Sequence, residues 1–244
     1  MQEYDRKGQV AVLTGAGGGI GRAIAEKLAQ QGMTLVLLGG TRPEKLEETK
    51  AAVAELTHVS VMPGDLTDTA FLTQAAEEIT ARFGAVNVLI NNAGMALNAP
   101  FTKVTEDQFD RIMAINVKAP YFLTQALLPS LKRAEGATVV NMASVNAHEG
   151  YPDQSAYAAS KHALLGFTKS LARECYKDGV RVHAVCPGSV YTDMIKVARP
   201  DLTGEGMISA EEIADLVWFL LSHRGNAVID EVLVHRVNKE PFLV

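Results

Sequence analysis

The alternation of short apolar runs, glycine turns and helix-period segments along this chain predicts an α/β domain with a parallel sheet. Three observations carry that expectation. Val10–Leu13 is apolar and ends in Thr14-Gly15-Ala16-Gly17-Gly18-Gly19-Ile20-Gly21, after which Ile20, Ala23, Ile24 and Leu28 recur at helical spacing. Further short β-rich runs return at Thr34, Val59, Val86, Thr138, Val180 and Val228, with helix-period stretches between them. Thr34–Leu38 is apolar almost throughout, as a strand inside a parallel sheet must be.

With 244 residues, 48% of them hydrophobic and 21% charged, the chain can bury a large core. No Pro/Ser-rich linker, low-complexity tract or repeat divides it, so residues 1–244 read as one domain. A net charge of −5 without a basic cluster excludes a nucleic-acid partner. Cys175 and Cys186 do not pattern as a metal site or a disulfide framework, and the first residues have no apolar signal core. No apolar run approaches the roughly 18 residues of a membrane span. A cytoplasmic protein acting on a small molecule is the expectation.

Glycines let the first turn approach a ligand with no Cβ in the way, and the helix N-terminus beyond offers free N–H groups to a pyrophosphate. Such turns also merely close loops; a strand before and a helix after favour dinucleotide binding. Gln31-Gly32-Met33 closes the helix, and Thr34–Leu38 is the second strand. At the end of such a strand a carboxylate binds the ribose 2′-OH of NAD, whereas a basic group accommodates the 2′-phosphate of NADP. Here Gly39-Gly40-Thr41-Arg42-Pro43 offers no acid and one arginine, which favours NADP(H) while leaving NAD(H) open. Arg42 is either the phosphate ligand or a solvated charge in the first turn of a helix capped by Thr41 and Glu44.

Val59–Met62 leads to Pro63-Gly64-Asp65-Leu66, where Asp65 either accepts from an adenine amino group or caps the next helix, whose core face is Phe71, Ala75, Ile79 and Phe83. Val86–Ile90 runs into Asn91-Asn92-Ala93-Gly94, a small polar loop suited to lie against a ligand. Thr105-x-x-Gln108 has the form of a capping box for a helix reaching Asn116. That asparagine sits in an apolar sequence and needs partners if buried. It is either a structural tie or the holder of a water serving Lys161. A helix over about 121–134, a strand at Thr138–Met142, a long helix over about 156–176 and a strand at Val180–Val185 follow. Cys186-Pro187-Gly188 breaks that strand, and a second capping box at Ser209–Glu212 opens a helix before the strand Val228–Val234.

The chemistry concentrates between Ser144 and Lys161. If Tyr157 lies in a helix, Lys161 is one turn further on the same face, so phenol and ammonium share a site. Free tyrosine titrates near pH 10, and a neighbouring cation favours its phenolate. Ser144 can donate to a substrate oxygen placed between it and Tyr157. Taken alone, Tyr-x-x-x-Lys is also a common chance pair on an amphipathic helix. Gly15, Asp65, Asn91 and Ser144, however, all fall at carboxyl ends of strands, where open α/β sheets bind ligands.

In combination TGAGGGIG at 14–21, Asp65, NNAG at 91–94, Asn116, Ser144, YAASK at 157–161 and Pro187-Gly188 resemble the short-chain dehydrogenase/reductase family, over about Lys7 to Val234. The resemblance implies a Rossmann-type doubly wound fold, a seven-stranded parallel sheet with helices on both faces. It implies a catalytic set of Asn116, Ser144, Tyr157 and Lys161 that interconverts a ketone and a secondary alcohol. Tyr157 would be the acid or base, Ser144 would polarise the carbonyl, Lys161 would bind the nicotinamide ribose and depress the tyrosine pKa, and Asn116 would position a water. Gly15, Gly17, Gly19, Ile20, Gly21, Asp65, Leu66, Asn91, Ala93 and Gly94 would line the cofactor, with Pro187, Gly188, Val190 and Thr192 bordering the nicotinamide.

Two departures from the family pattern stand out: the glycines at 39 and 40, and the ending VIDEVLVHRVNKEPFLV, which lacks the Val-Asp-Gly-Gly of many oxoacyl-thioester reductases. The competing functions are such a reductase and, in another class, a non-catalytic NAD(P)-binding regulator. Met95, Val145, His148, Tyr151, Tyr191 and Met194 are the candidate substrate contacts, with His148 also readable as a loop residue without a role and Arg199 as a loop residue. Family likeness further implies a homo-oligomer, a tetramer or dimer, through the helix carrying Tyr157. Leu164, Leu165, Phe167 and Leu171 supply apolar surface there, part of which must pack on the sheet.

Overall fold

Each apolar run becomes a strand of one sheet. The computed structural model describes residues 4–40, 42–192, 195 and 203–240, so Thr41, Met194 and Arg199 lie outside the described residues. Strands β1 (Val10–Thr14), β2 (Thr34–Leu38), β3 (Val59–Met62), β4 (Val88–Asn91), β5 (Thr138–Met142), β6 (Arg181–Pro187) and β7 (Glu231–Val234) stand in the order β3-β2-β1-β4-β5-β6-β7. Every pairing is parallel. The chain winds outward from β1 to β3, then returns to lay β4 beside β1, so the switch of direction falls between β1 and β4. The implied seven-stranded sheet is therefore the observed one.

Helices α1 (Gly19–Gln30), α2 (Pro43–Val53), α3 (Thr69–Phe83), α4 (Glu106–Met113), α5 (Ala119–Arg133), α6 (Ser155–Cys175) and α7 (Ala210–Ser222) cover both faces. Alternation along the strands divides the core in two. Ala11, Leu13, Leu35, Leu37, Val88 and Ile90 meet α1 and α7 on one side. Val10, Val12, Val36, Leu38, Leu89 and Val139 meet α3 and α5 on the other. Strands apolar on both faces are what a sheet buried on both sides requires.

Both predicted capping boxes form, Thr105 with Gln108 and Ser209 with Glu212. Two other cap expectations do not hold. Asp68, not Asp65, caps α3, accepting from Ala70 N–H at 2.9 Å. The cap position of α2 is Arg42, without a side-chain cap bond, and Pro43 opens the helix because its missing N–H is not needed there. The strand ended by Cys186-Pro187-Gly188 in the sequence reading runs on through Pro187. The separate helices expected around Asn116 are joined by a π-helical turn, Ala114–Lys118.

Candidate active site

A cleft of about 1150 Å³ opens over the carboxyl edge of the sheet. Gly15, Gly17, Gly19, Ile20 and Gly21 form one wall, where the β1 turn enters α1. A Cβ on Gly21 would stand 2.1 Å from Gly15 O and 2.6 Å from Asn92 Nδ2. Backbone is packed on backbone there, leaving a cradle at a helix N-terminus whose N–H groups suit a pyrophosphate. The tie across the switch point comes from residues the sequence reading did not single out. Asn92 Nδ2 donates to Thr14 O at 3.1 Å and to Gly15 O at 3.2 Å, while Thr14 Oγ1 accepts from the N–H groups of Asn92 and Ala93, both at 3.0 Å. The doubled asparagine at 91–92 was the available signal, but sequence alone cannot say which of the two faces the turn.

Beyond β2, Arg42 borders the cleft, exposed, with no ion pair or side-chain hydrogen bond among the described residues. At the first of the two glycines that follow β2 a side chain is excluded. Gly39 holds φ at +90°, and a Cβ there would meet Leu66 Cγ at 2.5 Å. Leu66 is buried beneath this edge and Asp65 stands exposed beside it. Asp65 Oδ1 accepts from Thr67 N–H at 2.9 Å and Thr67 Oγ1 at 2.8 Å. These bonds, backbone first, hold its carboxyl below the usual range.

Ala93 and Gly94 line the cleft, but Asn91 does not, which corrects the expectation for that residue. Its side chain turns into the sheet, donating to Thr124 Oγ1 at 3.0 Å and to Asn141 Oδ1 at 2.8 Å; Asn141 in turn donates to Thr168 Oγ1 at 2.8 Å. Strand alternation sends Asn91 and Asn92 to opposite sides. Asn116, in the π-helical turn, accepts from Met95 N–H at 2.9 Å and donates to Met95 O and Ser160 Oγ, each at 2.9 Å. Both amide hydrogens are thus committed, and the side chain ties the Met95 loop to α6. It pins the loop through Gly94, where a Cβ would lie 3.2 Å from Asn116 Oδ1 and 3.6 Å from Lys161 Nζ.

Ser144, Tyr157 and Lys161 come together opposite the glycine wall. Ser144 follows β5, buried, with its hydroxyl donating to Asn146 Oδ1 at 3.3 Å and accepting from Asn146 N–H at 3.2 Å, close enough to the Tyr157 phenol to act on its pKa. Tyr157 and Lys161 lie one turn apart on α6, as their spacing requires. Lys161 Nζ donates to Met142 O at 2.8 Å and stands 5.7 Å from the Tyr157 ring centroid. Burial lowers its pKa to about 8, because desolvation disfavours the ammonium. Burial likewise raises the Tyr157 phenol, with the Ser144 bond working the other way. The expected lowering by Lys161 is not among the influences on the phenol: desolvation raises it, the Ser144 hydroxyl alone opposes that, and the ammonium is turned onto a carbonyl.

The far end of the cleft is lined by Met95, Val145 and Tyr151, and its wall by Pro187, Gly188, Val190 and Thr192. His148 and Tyr191 do not line it. His148 pairs instead with Glu231 at the start of β7, and Tyr191 packs over Gly204. Among the contributors that no sequence motif marked are His235, Arg236 and Lys239, which follow β7 and border the same space. They occupy the segment that departs from the family ending. Cys175 and Cys186 are buried free thiols, and among the described residues no helix is long and apolar enough to cross a membrane.

The family described as short chain dehydrogenase matches residues 9–203. Over 239 residues the chain is 34% identical to a 3alpha-hydroxysteroid dehydrogenase of Mediterraneibacter gnavus, covering 93% of this chain and 95% of that protein. Among solved structures, levodione reductase superposes with a TM-score of 0.86 at 32% identity, covering 93% of this chain and 96% of its own. A metagenomic short-chain oxidoreductase solved in complex with NADP superposes at 0.84 and 33%, covering 96% of this chain and all of the other.

Proposed function

The chain belongs to the short-chain dehydrogenase family, an oxidoreductase that acts on a hydroxyl or carbonyl group with a nicotinamide dinucleotide, and from that premise we propose that it interconverts a ketone and a secondary alcohol with a preference for NADP(H). The observation that carries this reading is the Ser144, Tyr157 and Lys161 group facing a glycine cradle across one cleft. The dinucleotide supplies or accepts the hydride; the protein supplies orientation and proton transfer.

In reduction Ser144 donates a hydrogen bond to the carbonyl oxygen, and Tyr157 gives that oxygen its proton as negative charge develops there. A phenol raised by burial keeps its proton at neutral pH, which suits the donor. In oxidation the same atoms run in reverse. Lys161, still largely cationic at neutral pH with a pKa of about 8, stabilises the phenolate left behind and holds the ribose side of the cofactor. Asn116 acts through others: it fixes the Met95 backbone and hence the loop that meets the cofactor. Gly15, Gly17, Gly19, Ile20 and Gly21 cradle the pyrophosphate, Asp65 and Leu66 flank the adenine, and Ala93 and Gly94 line its path. Pro187, Gly188, Val190 and Thr192 close on the nicotinamide. Arg42, whose side chain has no ion pair or hydrogen bond among the described residues, takes the 2′-phosphate.

Residues 1–244 act as one domain, in the cytoplasm and as a homotetramer. Leu164, Leu165 and Leu171 are buried within the chain, so the assembly surface on α6 narrows to Phe167 and its neighbours Tyr121 and Phe122 on α5. Light scattering at micromolar concentration tests the assembly, and a monomer-sized species overturns it.

The function is tested by oxidation of NADPH and NADH against a panel of ketones, with Arg42→Ala alongside. Turnover with NADPH preferred by about tenfold or more, a preference lost in Arg42→Ala, supports the reading. Turnover with equal use of both cofactors removes the Arg42 role alone, and no turnover with any ketone leaves a cofactor-binding regulator.

A further inference from the structure

We infer that the segment after β7 forms an anion-binding subsite at the substrate end of the cleft, so that the molecule acted on carries a carboxylate or phosphate beside its carbonyl or hydroxyl; this rests on the oxidoreductase reading above. The segment is held against the reaction site by its backbone. Gly188 N–H donates to Val234 O at 2.7 Å, and a Cβ on Gly188 would stand 3.7 Å from His235 Cα. A turn then folds back, with Lys239 N–H donating to Arg236 O at 3.0 Å, while Asn238 packs over Gly206. The turn brings Arg236 and Lys239 to the same mouth of the cleft.

Tyr151 marks that mouth. Lys239 Nζ lies 5.5 Å from the Tyr151 ring centroid, and the Arg236 charge acts on the Tyr151 phenol. The connection to the reacting groups is short. Gln154, three residues on, accepts from Asn146 Nδ2 at 2.7 Å, and Asn146 N–H donates to Ser144 Oγ at 3.2 Å.

The charge balance is one-sided. Arg236 and Lys239 are both half-buried, and neither has a carboxylate partner among the described residues. The two carboxylates that border the cleft are engaged at its other end, Glu48 with Lys45 at 2.8 Å and Asp65 with Thr67. Glu149 acts on Tyr151 but does not line the cleft. Half-buried cations without a carboxylate partner lose solvation that the Tyr151 ring face beneath Lys239 offsets only in part until an anion arrives. An arginine fork and a lysine point charge beside a phenol O–H are the groups that bind carboxylate or phosphate oxygens. A cleft of one sign also draws such substrates in.

The test compares acetoacetate with ethyl acetoacetate, and dihydroxyacetone phosphate with hydroxyacetone, as reducible pairs differing in charge. Wild type is expected to favour the anion of at least one pair by about tenfold or more in kcat/KM. In the double variant Arg236→Gln/Lys239→Gln that ratio falls towards one through KM of the anion, with the neutral ketone unaffected. Which pair shows the effect tells carboxylate from phosphate. Equal kcat/KM within both pairs, or a preference that survives the double variant, overturns the subsite. If no ketone turns over, calorimetry with succinate and with inorganic phosphate on the NADPH-loaded protein decides. Binding lost in the double variant keeps the subsite and drops the ketone reading, whereas no binding by wild type sinks the subsite.

Discussion

Under the glycine turn the cleft is made mostly of backbone: Gly15, Gly21, Ala93 and the Asn92 side-chain amide lie so close that a single methyl group on either glycine would collide. At the other end Tyr151, Arg236 and Lys239 meet through a ring, two flexible cations and a turn of the tail. The first end has no room for variation because it recognises a fixed group through N–H donors. The second is assembled from side chains on separate segments, which can change without disturbing the sheet. A cofactor shared by many reactions calls for the first kind of construction and a particular substrate for the second.

The two ends meet at Tyr157, and the largest effect is expected there. Tyr157→Phe removes the transferable proton and is expected to lower kcat by about 10²–10⁴-fold, with NADPH affinity unchanged by fluorescence titration. Turnover near the wild-type level would remove Tyr157 from the chemistry. Next in size is the glycine wall. Gly21→Ala places a methyl 2.1 Å from Gly15 O and is expected to destabilise the fold by about 1–3 kcal/mol and to weaken NADPH binding by about tenfold or more. Gly18→Ala, with nothing within 4 Å of its added carbon, is the control and should melt with the wild type. If both variants behave alike, close packing is not what shapes this end.

A smaller effect is expected with pH. Lys161 titrates at about 8 in the folded protein against an ordinary 10.5. The unfolded chain therefore binds more protons between those values, and the penalty for holding this cation, complete below pH 8, is relieved as pH rises towards 10.5. NADPH affinity should move the opposite way, falling as pH rises through about 8 because the charge is lost. A titration in which Lys161→Met retains the same fall would assign it to another group. The smallest functional effect belongs to Asn91. Asn91→Ala leaves Asn141 Oδ1 without its donor and should destabilise the fold by about 1–3 kcal/mol, yet leave NADPH affinity as it was. A weakened cofactor with an unchanged melting temperature would put Asn91 back in the cleft.

The sequence by itself determined whatever depends on near neighbours in the chain. Strand runs, the glycine turn, both capping boxes and the i to i+4 placement of Tyr157 and Lys161 follow from backbone geometry repeated every two or 3.6 residues. The sheet order decided the rest. Which of Asn91 and Asn92 faces the turn depends on the register of β4 between β1 and β5. That Gly39 excludes a side chain depends on Leu66, which β3 brings beside it. Desolvation of Tyr157 and Lys161 depends on everything packed around them, and this reversed the sign expected for the phenol. The cations of the tail reach Tyr151 only because β7 pairs with β6 and ends against Gly188. Local pattern fixes which groups the chain owns; long-range pairing fixes which of them share a space.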